Sequence, residues 1–137
     1  MDDNDLRFYI IMRSDIASLA SDPGKASPQA AHAQRQADVL IDQEKLWGDK
    51  MRDMYQRWDA QSGGNFGTTI VLKATIDQIR EKGMNAREYL VPFGIIHDPT
   101  FPVTDGVLAT TMPVDTCAWA FGYKQDVERF MSGLDLL

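Results

Sequence analysis

Lys25, Gln29, His32 and Gln36 are separated by four, three and four residues. On a helix that spacing brings an amine, two amides and an imidazole onto one face. Beside a helix N-terminus, itself a weak positive pole, such a set suits an anionic or oxyanion-forming substrate. Spacing alone favours a solvated helix face instead. Arg13-Ser14-Asp15 and His97-Asp98 each follow an apolar run that reads as a strand, and in open α/β sheets ligands usually bind at the carboxyl ends of strands. Asp98 precedes Pro99 and reads equally as a turn-forming residue. Cys117 lies within an apolar run and reads as an inert core thiol rather than a nucleophile. No Cys/His set stands at zinc-ligand spacing.

The elements that must position these groups follow from periodicity. Leu6 to Met12, LRFYIIM, is an apolar, β-branched and aromatic run that predicts a strand buried on both faces. Residues 16–25 read as a loop, and Ser27-Pro28 as an N-cap and first helical residue of a helix running to about Ile41. Its Ala30, Ala33, Ala37, Leu40 and Ile41 form a small-residue stripe that predicts close packing on a sheet. Residues 42–60 read as two helices broken at Gly48, with Trp47 and Trp58 assigned to packing rather than to base stacking. After the QSGGNFG linker, residues 68–73 read as a second strand and Ile76 to Lys82 as a helix stopped by Gly83. Glu88 to Ile96 reads as a third strand, placed at an edge by Pro92. Residues 97–115 read as a long irregular excursion bordering a site, Thr116 to Gly122 as a fourth strand, and Lys124 to Met131 as a last helix before an apolar tail. Strands alternating with helices predict a single α/β domain over residues 1–137, with about the first five residues disordered.

Composition narrows the function classes. The hydrophobic share of 44% and charged share of 25% are those of a globular domain. A lone cysteine, an acidic N-terminus and no apolar run of spanning length predict a cytoplasmic protein with no membrane partner. A net charge of −6 excludes a broadly basic nucleic-acid surface while leaving room for a local basic patch.

The segment Gly24-Lys25-Ala26-Ser27-Pro28-Gln29-Ala30-Ala31-His32-Ala33 resembles the G-K-x-x-x-Q-x-x-H-A stretch of type-2 peptidyl-tRNA hydrolases, which also follows a first strand ending in Arg-x-Asp, here Arg13-Ser14-Asp15. The similarity continues through Thr69 to Lys73, Asp98 at the family's active-site aspartate, Thr116 at the start of its fourth strand, and Gly133 to Leu137 at its terminal tail. The chain departs from the pattern in two longer loops, 15–25 and 98–116, and the second begins D-P-T-x-P as in members resembling phage-encoded ones. The family's threonine four places after the aspartate is replaced by Pro102, leaving Thr100 or Thr104 as substitutes.

The resemblance implies a four-stranded mixed sheet with helices packed on both faces, often as a homodimer. It also implies a hydrolase that needs no metal or cofactor, cutting the ester between a peptide and the tRNA 3′ ribose. Asp98 would orient or deprotonate water, Lys25 would stabilise developing negative charge, and Gln29 would position the substrate, with Thr116 beside them. Arg13, His32, Arg35 and Thr100 are the expected substrate-binding groups, His32 as a buttress of the helix rather than as the base. Two other classes fit the same pattern: a catalytically silent RNA- or protein-binding module of this fold, and another small hydrolase or transferase using the same pocket.

Overall fold

The computed structural model describes residues 2–105 and 107–137, the last two of the first stretch by backbone alone. One open mixed sheet organises the chain, built from β1 (Leu6–Arg13), β2 (Thr69–Ala74), β3 (Phe93–Asp105), β4 (Leu108–Tyr123) and β5 (Asp135–Leu136). Its order is β3-β4-β1-β2-β5. β1 runs parallel to β2 and antiparallel to β4, and the two outer pairs, β3 with β4 and β2 with β5, are antiparallel.

Alternation along the central strands splits the core in two. Phe8, Ile10, Met12, Cys117, Trp119 and Phe121 pack with Ala33, Ala37 and Ile41 and with Met54, Tyr55 and Trp58. These helical partners belong to α2 (Pro23–Ala37), the π-helical turn Asp38–Gln43 that continues it, and α3 (Gly48–Asp59). Tyr9, Ile11, Ala118 and Ala120 pack on the opposite face with Ile79 and Ala86 of α4 (Ile76–Tyr89) and with Val127 and Phe130 of α5 (Lys124–Phe130). Ala33 and Ala37 are fully buried, which brings α2 close to the sheet as its small-residue stripe predicts. Trp58 is buried and donates its indole N–H to the Thr68 carbonyl at 2.8 Å, and Trp47 packs edge-on against Trp119. Both tryptophans are therefore packing residues.

Four expectations are corrected. The sheet has five strands rather than four, because the apolar tail pairs Asp135 and Leu136 with Lys73 and Leu72. Ahead of β1, Asp3–Asp5 forms a 3-10 turn, with the Asp2 carboxylate accepting from the Asn4 N–H at 3.0 Å. The 16–25 loop contains a short helix, α1 (Ala17–Ser21), and α2 starts at Pro23, capped by Asp22, whose carboxylate accepts from the Gly24 N–H at 2.9 Å. Asp22-Pro23 thus uses, one turn earlier, the same cap signal that Ser27-Pro28 offers.

α4 runs through Gly83 to Tyr89 and ends on Leu90 at φ 55°. Gly83 does not stop the helix: a side chain there would place Cβ 3.1 Å from the Phe93 ring, so the glycine lets α4 lie close against β3. The 97–115 excursion is not irregular. It is a β-hairpin arm continuing β3 and β4, paired from Phe101 with Met112 to Asp105 with Leu108, with register shifts around His97 and between Asp98 and Phe101.

Candidate active site

The site lies where α2 crosses the base of this hairpin arm. Asp98 belongs to β3 at a register shift, the kind of irregularity that re-aims a side chain. Its Oδ2 accepts from the Gln29 side-chain amide at 2.8 Å, while Oδ1 accepts from the Thr100 N–H at 2.9 Å and from the Thr100 hydroxyl at 3.3 Å. The amide is fixed in turn, since the Thr116 hydroxyl donates to Gln29 Oε1 at 2.7 Å. Thr116 is 0% exposed and Gln29 3%. Beneath them the Cys117 thiol donates to the Gln29 backbone carbonyl at 3.5 Å. A buried polar chain, Thr116 to Gln29 to Asp98, therefore ends on a half-buried carboxylate. Hydrogen bonds from Gln29, then the Thr100 N–H and hydroxyl, with the His32 charge adding last, hold the Asp98 carboxyl below the usual range against a smaller opposing effect of burial.

An open groove of about 520 Å3 runs past this carboxylate, between His32, Arg35, Gln36 and Val39 on the helical side and residues 96–100 on the strand side. Both histidines of the chain line it. Arg35 is exposed and has no carboxylate partner among the described residues. Gln36 Oε1 accepts from the Trp119 indole N–H at 2.8 Å.

The expected residues are thus only partly gathered. Asp98, Gln29, Thr116 and Thr100 form one hydrogen-bonded unit, and His32 and Arg35 line the groove beside it. Gln29 and Thr116 are too enclosed to meet a substrate directly; they position Asp98. Lys25, one turn before Gln29, directs its ammonium to the hairpin arm, 3.5 Å from the Pro102 carbonyl and 5.9 Å from the centre of the Phe101 ring. Arg13 does not join the groove. Its guanidinium donates to both Asp15 oxygens, at 2.9 and 3.0 Å, and to the Asp115 backbone carbonyl at 3.0 Å. The side chain of Thr104 lies outside the described residues.

Sequence reasoning missed two features. His97 Nδ1 is 2.8 Å from Asp115 Oδ1, and the second Asp115 oxygen faces Arg80 of α4 at 3.6 Å. Asp115 lies in the segment read as irregular, so no pairing signal was visible there. Gln36 stood in the polar stripe, but its partner Trp119 is distant in sequence and carried no sign of the bond.

No family model matches the chain, and no curated protein matches it. Among solved structures, it is similar to a protein of unknown function from Agrobacterium tumefaciens strain C58, with 11% identity over 97% of this chain and 98% of that one and a TM-score of 0.50. That likeness concerns the fold alone.

Proposed function

We propose that this chain is a peptidyl-tRNA hydrolase, cutting the ester between a peptide or N-blocked amino acid and the 3′ end of tRNA. The observation that carries the reading is the Asp98 carboxylate, held by Gln29 and Thr100 at the wall of an open groove, with Gln29 fixed by Thr116. Asp98, Gln29 and Thr116 are positions that the resemblance to type-2 peptidyl-tRNA hydrolases marks out, while Thr100 stands where the chain departs from the family pattern.

In the reaction water adds to the ester carbonyl, the bond from that carbon to the ribose oxygen breaks, and the proton lost by water ends on the ribose hydroxyl. A carboxylate held below its usual range stays ionised at neutral pH and is a weak proton sink. Asp98 therefore acts by accepting a hydrogen bond from the attacking water and fixing its direction. Lys25 meets the developing oxyanion: its contact with the Pro102 carbonyl is long, and its flexible stem lets the ammonium turn toward the groove.

The deciding experiment is release of N-acetylaminoacyl groups from charged tRNA by wild-type protein, Lys25→Ala and Asp98→Asn. Each substitution is expected to lower release by about a hundredfold or more while leaving the fold intact. Absence of release by wild-type protein overturns the reading. The direction of Lys25 toward the hairpin arm favours one second reading, a silent RNA- or protein-binding module of the same fold, whose signature is tRNA binding without release.

A further inference from the structure

The hairpin arm leaves one edge of β4 open. β1 pairs with β4 from Tyr123 to Cys117, so among the described residues 108–115 have β3 on one side and no strand on the other. Along an antiparallel ladder, residues that bond the facing strand alternate with residues whose N–H and C=O point away from it. Pro102 has no N–H and stands opposite Thr111, which puts that pair among the non-bonded ones. Two contacts agree. The Pro102 carbonyl is turned away from β4, toward the Lys25 ammonium at 3.5 Å. On the other strand, the Asp115 carbonyl is turned away from β3 and accepts from the Arg13 guanidinium at 3.0 Å. Steps of two from Asp115 give Pro113, Thr111 and Ala109 as the residues that face the open side. Arg13 fills the first position and Pro113 has no N–H to offer, so the edge is closed at the base of the arm and open at Ala109 and Thr111.

An open edge is a template for another strand, and proteins commonly guard it with lysine or another charge. Residues 107–112, VLATTM, carry no charge, and Leu108 and Met112 are exposed. The stretch is also self-complementary. With Thr110 of two copies facing each other on a two-fold axis, Ala109 of one stands opposite Thr111 of the other, and every outward N–H meets an outward carbonyl. In the same register Leu108 meets Met112 of the second copy and Thr110 meets its own counterpart, pairs that stabilise antiparallel strands. No like charges oppose each other across the axis, and the antiparallel direction sets the two bodies at opposite ends of the joined arms. We propose that the edge of β4 from Ala109 to Thr111 joins the same edge of a second copy, making one continuous sheet across two chains. The arm lies in the 98–116 segment, where the chain departs from the type-2 hydrolase pattern, so this interface belongs to the chain's own insertion.

A few paired residues bury less than the roughly 1,200 Å2 of a stable interface, so the dimer should be reversible. Sedimentation equilibrium of the full chain from about 1 μM to about 1 mM should show monomer giving way to dimer. Thr111→Pro removes the outward N–H without touching a bond to β3, and should weaken association by at least about tenfold. Thr110→Lys, at an exposed position, sets two ammonium groups face to face and should do the same. Both variants are checked for folding by Tm, and Thr110→Lys carries the test if Thr111→Pro does not fold. Cysteines read the register. Thr110→Cys should cross-link two copies on oxidation, because a directly opposed non-bonded pair brings its Cβ atoms within about 5 Å. Thr111→Cys should not, since its counterpart lies two residues further along, and the buried Cys117 does not compete. Monomer throughout the concentration range, a dimer that neither Thr111→Pro nor Thr110→Lys weakens, or cross-linking as fast from Thr111→Cys as from Thr110→Cys overturns the proposal. Monomeric protein that takes up a synthetic peptide of residues 107–113 gives the edge to a foreign strand, which overturns it as well.

Discussion

At the scale of single residues, the centre depends on a relay that presents one carboxylate. Gln29 supplies the leading influence that lowers the Asp98 carboxyl, and Thr116 fixes which way the Gln29 amide points. A carboxyl lowered in the folded state stabilises the fold above its unfolded value, and that contribution is lost as pH falls through the lower folded value. Gln29→Ala should therefore shift the acid limb of the rate profile upward, toward the ordinary carboxylate range. An unmoved limb accompanied only by a lower Tm would make Gln29 a packing residue. Thr116→Val keeps the shape but leaves the buried Gln29 oxygen unpaired, and should cost about 1–3 kcal/mol in denaturant unfolding. Of these parts, Lys25, Gln29, Thr116 and Asp98 are legible through the resemblance, and Lys25 and Gln29 also through their spacing of four. The geometry joining Asp98 to Gln29 is not, because it is a contact across 69 positions of chain set by how α2 lies on the sheet.

At the scale of elements, legibility follows the locality of the signal. β1 is readable because a continuous apolar run has little alternative to a strand covered on both faces, and it is buried through its centre. α4 begins with a readable capping box, Thr75 with Gln78, but its end is hidden: Gly83 serves packing, while the left-handed residue that closes the helix is Leu90, with no side-chain preference for that conformation. The hairpin arm was hidden by its prolines. Pro99 and Pro102 lie on β3, the edge strand, and Pro113 on the part of β4 beyond its pairing with β1, where each strand has an open side and a missing N–H need not break the ladder. Gly94 is the glycine on which β3 and α2 depend. A Cβ there would lie 2.4 Å from Gln36 Oε1 and 2.5 Å from the Trp119 indole nitrogen. Gly94→Ala should break the Trp119–Gln36 bond and overpack the site's supporting layer, lowering Tm by about 5 °C or more. Calorimetry with near-ultraviolet circular dichroism of the tryptophans checks this, and an unchanged Tm would show that α2 is free to move away.

At the scale of the whole molecule, the proposed tRNA substrate is a polyanion, which a chain of net charge −6 would meet through few contacts. Among the described residues, five of the fourteen lysines and arginines, Arg13, Lys45, Arg52, Arg57 and Arg80, are in ion pairs with aspartates. Arg13, expected from sequence to meet tRNA, is thereby committed to Asp15, and its bonds hold that carboxyl below the usual range. Arg35 in the Asp98 groove and Lys25 at the hairpin arm beside it are the cations left there, which keeps the number of neutralised phosphates at about two. Each contributes roughly 0.7 to 0.9 to the dependence of log affinity on log salt, so binding of a non-hydrolysable peptidyl-tRNA mimic should fall with a slope of about two. Arg35→Ala should reduce that slope by about one contact, whereas Arg13→Ala should leave the slope unchanged and lower stability instead. A slope near zero would mean that the overall negative charge prevents phosphate contact altogether. A steep slope of about six would place the tRNA on a surface other than this groove, and either result removes the groove from the account of substrate binding.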